Sequence, residues 1–142
     1  MATLKWGSAG NSTGDISDGN LEGLADGAEC APIDYDNSTN LNLYAIASIY
    51  INEPISWAPG SDPYVLLRVN AEDGANTPND GPGDLYRLDM REGTGTKILD
   101  VNKIRLYPFE MLFYITNHTG VALPSGTGET GFELIPYSLA SS

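Results

Sequence analysis

Cysteine, histidine and basic side chains are all scarce in this chain. Cys30 is the only cysteine and His118 the only histidine. One cysteine excludes an internal disulfide, and one of each ligand type is too few for a zinc site. Cys30 reads as a small buried residue rather than a reactive thiol. His118 lies in Asn-His-Thr-Gly, far from Cys30 in the sequence, and no Gly-x-Ser-x-Gly elbow occurs. No nucleophile–base pair is encoded, and the expectation is that the protein is not an enzyme.

Seven Lys and Arg stand against nineteen Asp and Glu, for a formal net charge of -12. Such a field repels nucleic acid, whose binders carry a basic patch, and it repels anionic membrane surfaces. It favours solubility and a partner with a basic or neutral surface. Long apolar runs are missing as well: none nears the roughly 18 residues of a membrane span. The opening MATLKWGSAGNSTGDISDGN has no apolar core of a secretory signal, so the chain is expected to be made and folded in a cytoplasm. Sequons at Asn11, Asn37 and Asn117 are expected to be chance in a chain rich in Asn, Ser and Thr. The glycines precede no helical segment, which removes a phosphate cradle.

What is present is a set of strands. LNLYAIASIYI, residues 41–51, alternates with Leu43, Ala45, Ala47, Ile49 and Ile51 on one face, the period of a half-buried strand. Residues 63–71 form a second, with Val65, Leu67 and Val69 aligned. Residues 85–89, 98–107 and 131–137 read as strands too, the second weakened by Asp100 and Asn102. The strongest is 109–116, with Phe109, Met111, Phe113 and Ile115 on one face and Leu112 and Tyr114 on the other. Apolar residues on both faces predict a central strand, and Asn117–Gly120 reads as the turn that follows. Strands at even spacing, joined by Gly/Pro turns without helical periodicity, predict an all-β fold: one antiparallel β-sandwich, jelly-roll-like.

Residues 1–40 differ in texture. Gly7, Gly10, Gly14, Gly19, Gly23 and Gly27 interrupt them, and isolated apolar residues stand between polar ones. Ile16-Ser-Asp-Gly19 and Leu24-Ala-Asp-Gly27 each read as an inward apolar residue followed by an Asp-Gly turn. The stretch is either a solvated irregular leader or an extended arm docked on a body or on a neighbouring subunit. Trp6 favours the arm, because a free tail rarely carries an indole. The expected division is an extended N-terminal arm, 1–40, and a sandwich domain, 41–142, with Trp6, Ile16, Leu21 and Leu24 as partner-binding anchors.

Loop 72–84 gathers Asp73, Asn76, Asn79, Asp80 and Asp84. These are hard oxygen donors suited to calcium, but the EF-hand spacing is absent and solvated acids are the simpler reading. Paired carboxylates for glycoside hydrolysis arise by chance among nineteen acids and carry no weight. Trp57, Tyr64, Tyr86 and Tyr107 are candidates for stacking on a sugar, with core or interface packing as the competing role.

Several short elements carry a resemblance. They are Leu24-Ala-Asp-Gly-Ala28, the alternating strand 44–51, an Asp/Gly-rich loop, Asn117-His-Thr-Gly-Val-Ala-Leu123 after an aromatic strand, and a closing strand ending Pro136-Tyr137. Over about residues 20–138 the chain resembles a family of small tailed-phage virion proteins. The resemblance implies a capsid decoration (cement) protein on the outer surface of a phage head, with the major capsid protein as partner. It also implies a homotrimer and no cofactor. A capsid interior packed with DNA would repel so acidic a protein, which agrees with the outer surface. A head–tail or tail component is the alternative within the particle. A carbohydrate-binding sandwich that aids adsorption is the alternative from another class.

Overall fold

In the computed structural model the described residues are 4–6, 12–38, 41–51, 63–71, 84–89, 97–107, 110–137 and 139–141. Phe109, Trp57, the sequon at Asn11 and loop 72–83 lie outside them. Every regular element among them is a strand, so no helix there is long and apolar enough to cross a membrane.

The strands are β1 (Leu4–Trp6), β2 (Ile33–Asp36), β3 (Tyr44–Ile51), β4 (Tyr64–Ala71), β5 (Asp84–Asp89), β6 (Lys97–Arg105), β7 (Glu110–His118), β8 (Thr130–Tyr137) and β9 (Leu139–Ser141). They form a four-stranded sheet in the order β2-β7-β4-β5, a three-stranded sheet in the order β6-β3-β8, and a two-stranded ribbon of β1 and β9. All pairings are antiparallel. The two larger sheets pack face to face as a β-sandwich.

Period-two alternation builds the core. Ala45, Ala47, Ile49 and Ile51 of β3 are buried against Val65, Leu67 and Val69 of β4 and Met111, Phe113 and Ile115 of β7. The Phe113 and Phe132 rings meet at 5.3 Å across the sandwich. Such aromatic pairs add to the roughly 1.5–3 kcal/mol that each buried large side chain contributes. β7 is central as expected, and Leu112 and Tyr114 on its second face are also buried. Two details differ from the sequence reading. Leu43 lies outside the buried face and is 51% exposed. β7 continues through Asn117 and His118, so the turn begins at Thr119.

Residues 12–38 contribute a strand and core residues to the sandwich. β2 is an edge strand of the larger sheet, and Leu21, Cys30 and Ile33 are core residues. The segment between them works as a strap. Along the outer edge of β8, Thr13 and Ile16 N–H groups donate to the Leu134 and Phe132 carbonyls at 2.9 and 2.8 Å. In return Leu134 N–H donates to Thr13 Oγ1 at 3.0 Å, and Phe132 N–H to Asp15 Oδ1 at 3.1 Å. Along β7, Cys30 N–H donates to the Ile115 carbonyl at 2.9 Å while Ile115 N–H donates to Cys30 Sγ at 3.2 Å. The pattern repeats at the outer edge of β8 and along β7 beyond the end of β2. Strap amides bond the edge carbonyls, and strap side chains stand in for the carbonyls that a regular strand would offer. The strap turns where expected: Gly19 and Gly27 have φ of 75° and 80°, a conformation that favours glycine.

Candidate functional site: a docking surface

His118 and Cys30 are not brought together as a base and a nucleophile. His118, on the outer face of the larger sheet, stacks on Tyr64 with ring centroids 4.8 Å apart. Cys30 is in the core, on the opposite face, and burial pushes its thiol pKa up, away from the reactive thiolate. No group of three or more His, Cys, Asp and Glu is placed to hold a metal among the described residues. Of the calcium candidates only Asp84 is described, and its Oδ2 accepts the Tyr107 hydroxyl at 2.7 Å.

Three of the four aromatics considered for sugar stacking are engaged within the chain. Tyr64 has His118 from β7 on one flank, and the Arg87 guanidinium from β5 lies 3.8 Å from its ring. Tyr86 accepts the Arg105 N–H at 3.2 Å, and Tyr107 donates to Asp84. Trp57 lies outside the described residues.

Two of the sequons are closed. Asn117 is fully buried and its side chain is saturated. Nδ2 donates to the Leu24 and Val121 carbonyls at 2.9 and 2.7 Å, and Oδ1 accepts the Thr119 N–H at 3.0 Å. Asn37, also fully buried, donates to the carbonyls of Asn42 and Tyr107 at 2.8 and 2.9 Å. Both are hinges of the fold and neither is open to a glycan.

The expected anchors divide. Leu21 has 0% exposure inside this chain's own core, and Ile16 and Leu24 pack partly buried against that core. All three pack against the chain's own sandwich. Trp6 is in the ribbon, in register with Leu139.

A surface that the sequence reading missed lies at the Tyr44 end of the smaller sheet. Leu41, Asn42, Leu43, Tyr44, Arg105 and Leu106 line a depression of about 360 Å³. Leu41 and Leu43 are 55% and 51% exposed at its rim. Tyr44 packs against Tyr137 at 5.7 Å, and the Lys103 ammonium lies 4.4 Å from the centre of the Tyr44 ring. A β-bulge places that lysine. Between Ala45 and Ala47 the pairing with β6 shifts from Ile104 to Val101, so Asn102 and Lys103 together oppose Ile46. Such an extra residue re-aims side chains. Period-two patterning carries no sign of it beyond the polar Asn102.

No family model, no curated protein and no solved structure matches this chain.

Proposed function

We propose that this chain is a structural virion protein. It decorates the outer surface of a phage head, with the major capsid protein as partner, and stabilises the shell by non-covalent clamping without a cofactor. The homotrimer that the resemblance implies belongs to the same proposal.

The observation that carries it concerns the two elements on which the resemblance rests most. Leu24-Ala-Asp-Gly-Ala28 and Asn117-His-Thr-Gly-Val-Ala-Leu123 are far apart in sequence but form one hydrogen-bonded unit. Asn117 N–H donates to the Ala28 carbonyl at 3.0 Å, Gly27 N–H to the Asn117 carbonyl at 2.6 Å, and Leu123 N–H to the Leu24 carbonyl at 2.9 Å. Asp26 Oδ1 accepts the Gly120 N–H at 2.9 Å. Motifs that meet physically carry more weight than motifs that merely recur. The engaged histidine, the inert thiol and the net charge of -12 agree with a protein that works by surface contact.

With the strap bound to its own sandwich, the part of the arm left to reach a neighbour is β1, which forms a ribbon with β9. Among the described residues it pairs with no other strand.

Heads lacking the protein, compared with the same heads after purified chain is added back, test the reading. Added chain should raise the temperature at which DNA is released, and its copy number should scale with the capsid lattice. Unchanged heat release sinks the cementing role. One ring's worth of copies per particle moves the protein to the neck or tail.

A further inference from the structure

The cations of this acidic chain are treated differently on the two outer faces. On the larger sheet, Arg68 bonds Glu29 at 3.0 Å and Arg87 bonds Asp89 at 2.6 Å. On the smaller sheet, neither Lys103 nor Arg105 has a carboxylate partner among the described residues. Both are exposed, and they flank Tyr44: Lys103 lies over its ring, and Arg105 is its cross-strand partner. Two neighbouring cations with no carboxylate among the described residues mark a place that can take counter-charge from outside.

We infer that the patch formed by Leu41, Leu43, Tyr44, Lys103 and Arg105 docks an acidic segment of the major capsid subunit, one presenting a carboxylate beside an apolar side chain. The inference rests on the decoration reading and names the face that makes the contact. The depression of about 360 Å³ receives the apolar side chain, and exposed Leu41 and Leu43 close over it. Lys103 and Arg105 take the carboxylate. The Tyr44 ring holds the Lys103 ammonium in place, so less freedom is lost on binding.

The net charge of -12 opposes an acidic partner at long range, where a basic or neutral one would be favoured. At physiological salt, however, that field is screened beyond about 8 Å, and a carboxylate seated between the two cations feels them first. On the neighbouring β8, Glu133 pairs with Ser48, four residues and roughly 13 Å along β3 from Tyr44. Nucleic acid is a poor occupant, because two cations neutralise too few phosphates to overcome the remaining charge.

The test titrates purified full-length chain onto heads isolated without it, at low and at high salt. Wild-type binding should weaken as salt rises. The double variant K103E/R105E should bind about tenfold more weakly or worse, equivalent to about 1.4 kcal/mol. Leu43→Ser should weaken binding by less, and Arg87→Glu, on the other sheet, should bind as the wild type does. Matched unfolding temperatures establish that each variant is folded. A double variant that binds heads as tightly as the wild type overturns the docking assignment and leaves the decoration reading intact. So does a loss seen only in self-association on sedimentation, which makes a second copy the occupant. A wild-type chain that ignores the heads overturns both.

Discussion

The strap at residues 12–36 and the ribbon of β1 and β9 differ in what their backbones bond. The strap gives its amides to two sheet edges, covers them with side-chain acceptors from Thr13, Asp15 and Cys30, and sinks Leu21 into the core. Among the described residues the ribbon is two strands of three residues that pair only with each other. A covered edge protects a sandwich from pairing with other chains, whereas an isolated two-stranded ribbon is marginal in water and gains from a third strand. An irregular, glycine-broken sequence can therefore be the better-ordered part, and a regular strand the provisional one. What decides is where the backbone hydrogen bonds end.

The largest effect that separates the two comes from truncation. Removing residues 1–30 takes away Leu21, Cys30 and the cover of β8, and should abolish cooperative thermal unfolding. Removing residues 1–8 should leave the melting temperature unchanged. Equal damage from both would erase the distinction.

Next is Leu21→Ala, expected to lower stability by about 2–5 kcal/mol in denaturant titration. Trp6→Ala in the ribbon should change it by less than about 0.5 kcal/mol. Asn117→Ala takes one of two donors from each of the Leu24 and Val121 carbonyls and leaves the buried Thr119 N–H without its acceptor, and should cost about 2–3 kcal/mol. Gly131→Ala tests the sheet beneath the strap. An added Cβ there runs into the Tyr50 ring, whose hydroxyl bonds Asp15, and the expected loss is about 1–3 kcal/mol.

The smallest effect is one of pH. Burial works to raise the Asp15 pKa, but hydrogen bonds from Ser17, Phe132 and Tyr50 outweigh it and hold the carboxyl below its ordinary 3.8. A lowered folded pKa stabilises the fold above the ordinary value, and that contribution is lost as pH falls through the folded one. Acid unfolding below about pH 3.8 should therefore be shallower in Asp15→Asn. An unchanged acid limb would remove Asp15 from the strap's hold on β8.

The strands were legible because alternation is local. β3, β4, β7 and β8 each announce a buried face within eight or nine residues, and the two-sided apolar pattern of β7 marks it as central. The Asp-Gly turns at Gly19 and Gly27 were legible for the same reason. The strap was not, since its bonds join residues up to 121 positions apart and run through single side chains that no periodicity displays. The end of β7 was misread because Asn and His resemble a turn locally, while Asn117 is fixed by the distant Ala28, Gly27 and Leu24. The cationic patch was hidden for a third reason. It depends on a bulge and on which arginines find carboxylates, and both are properties of the register rather than of composition.

The strap also sets an order of events during synthesis. Residues 12–36 leave the ribosome well before the strands they bond, Glu110–His118 and Thr130–Tyr137. Until those emerge the strap lacks its partners, and the locking contacts span 85 to 121 residues of chain. Contacts so distant in sequence make folding slow. They also close the molecule only once nearly all of the described chain has been made.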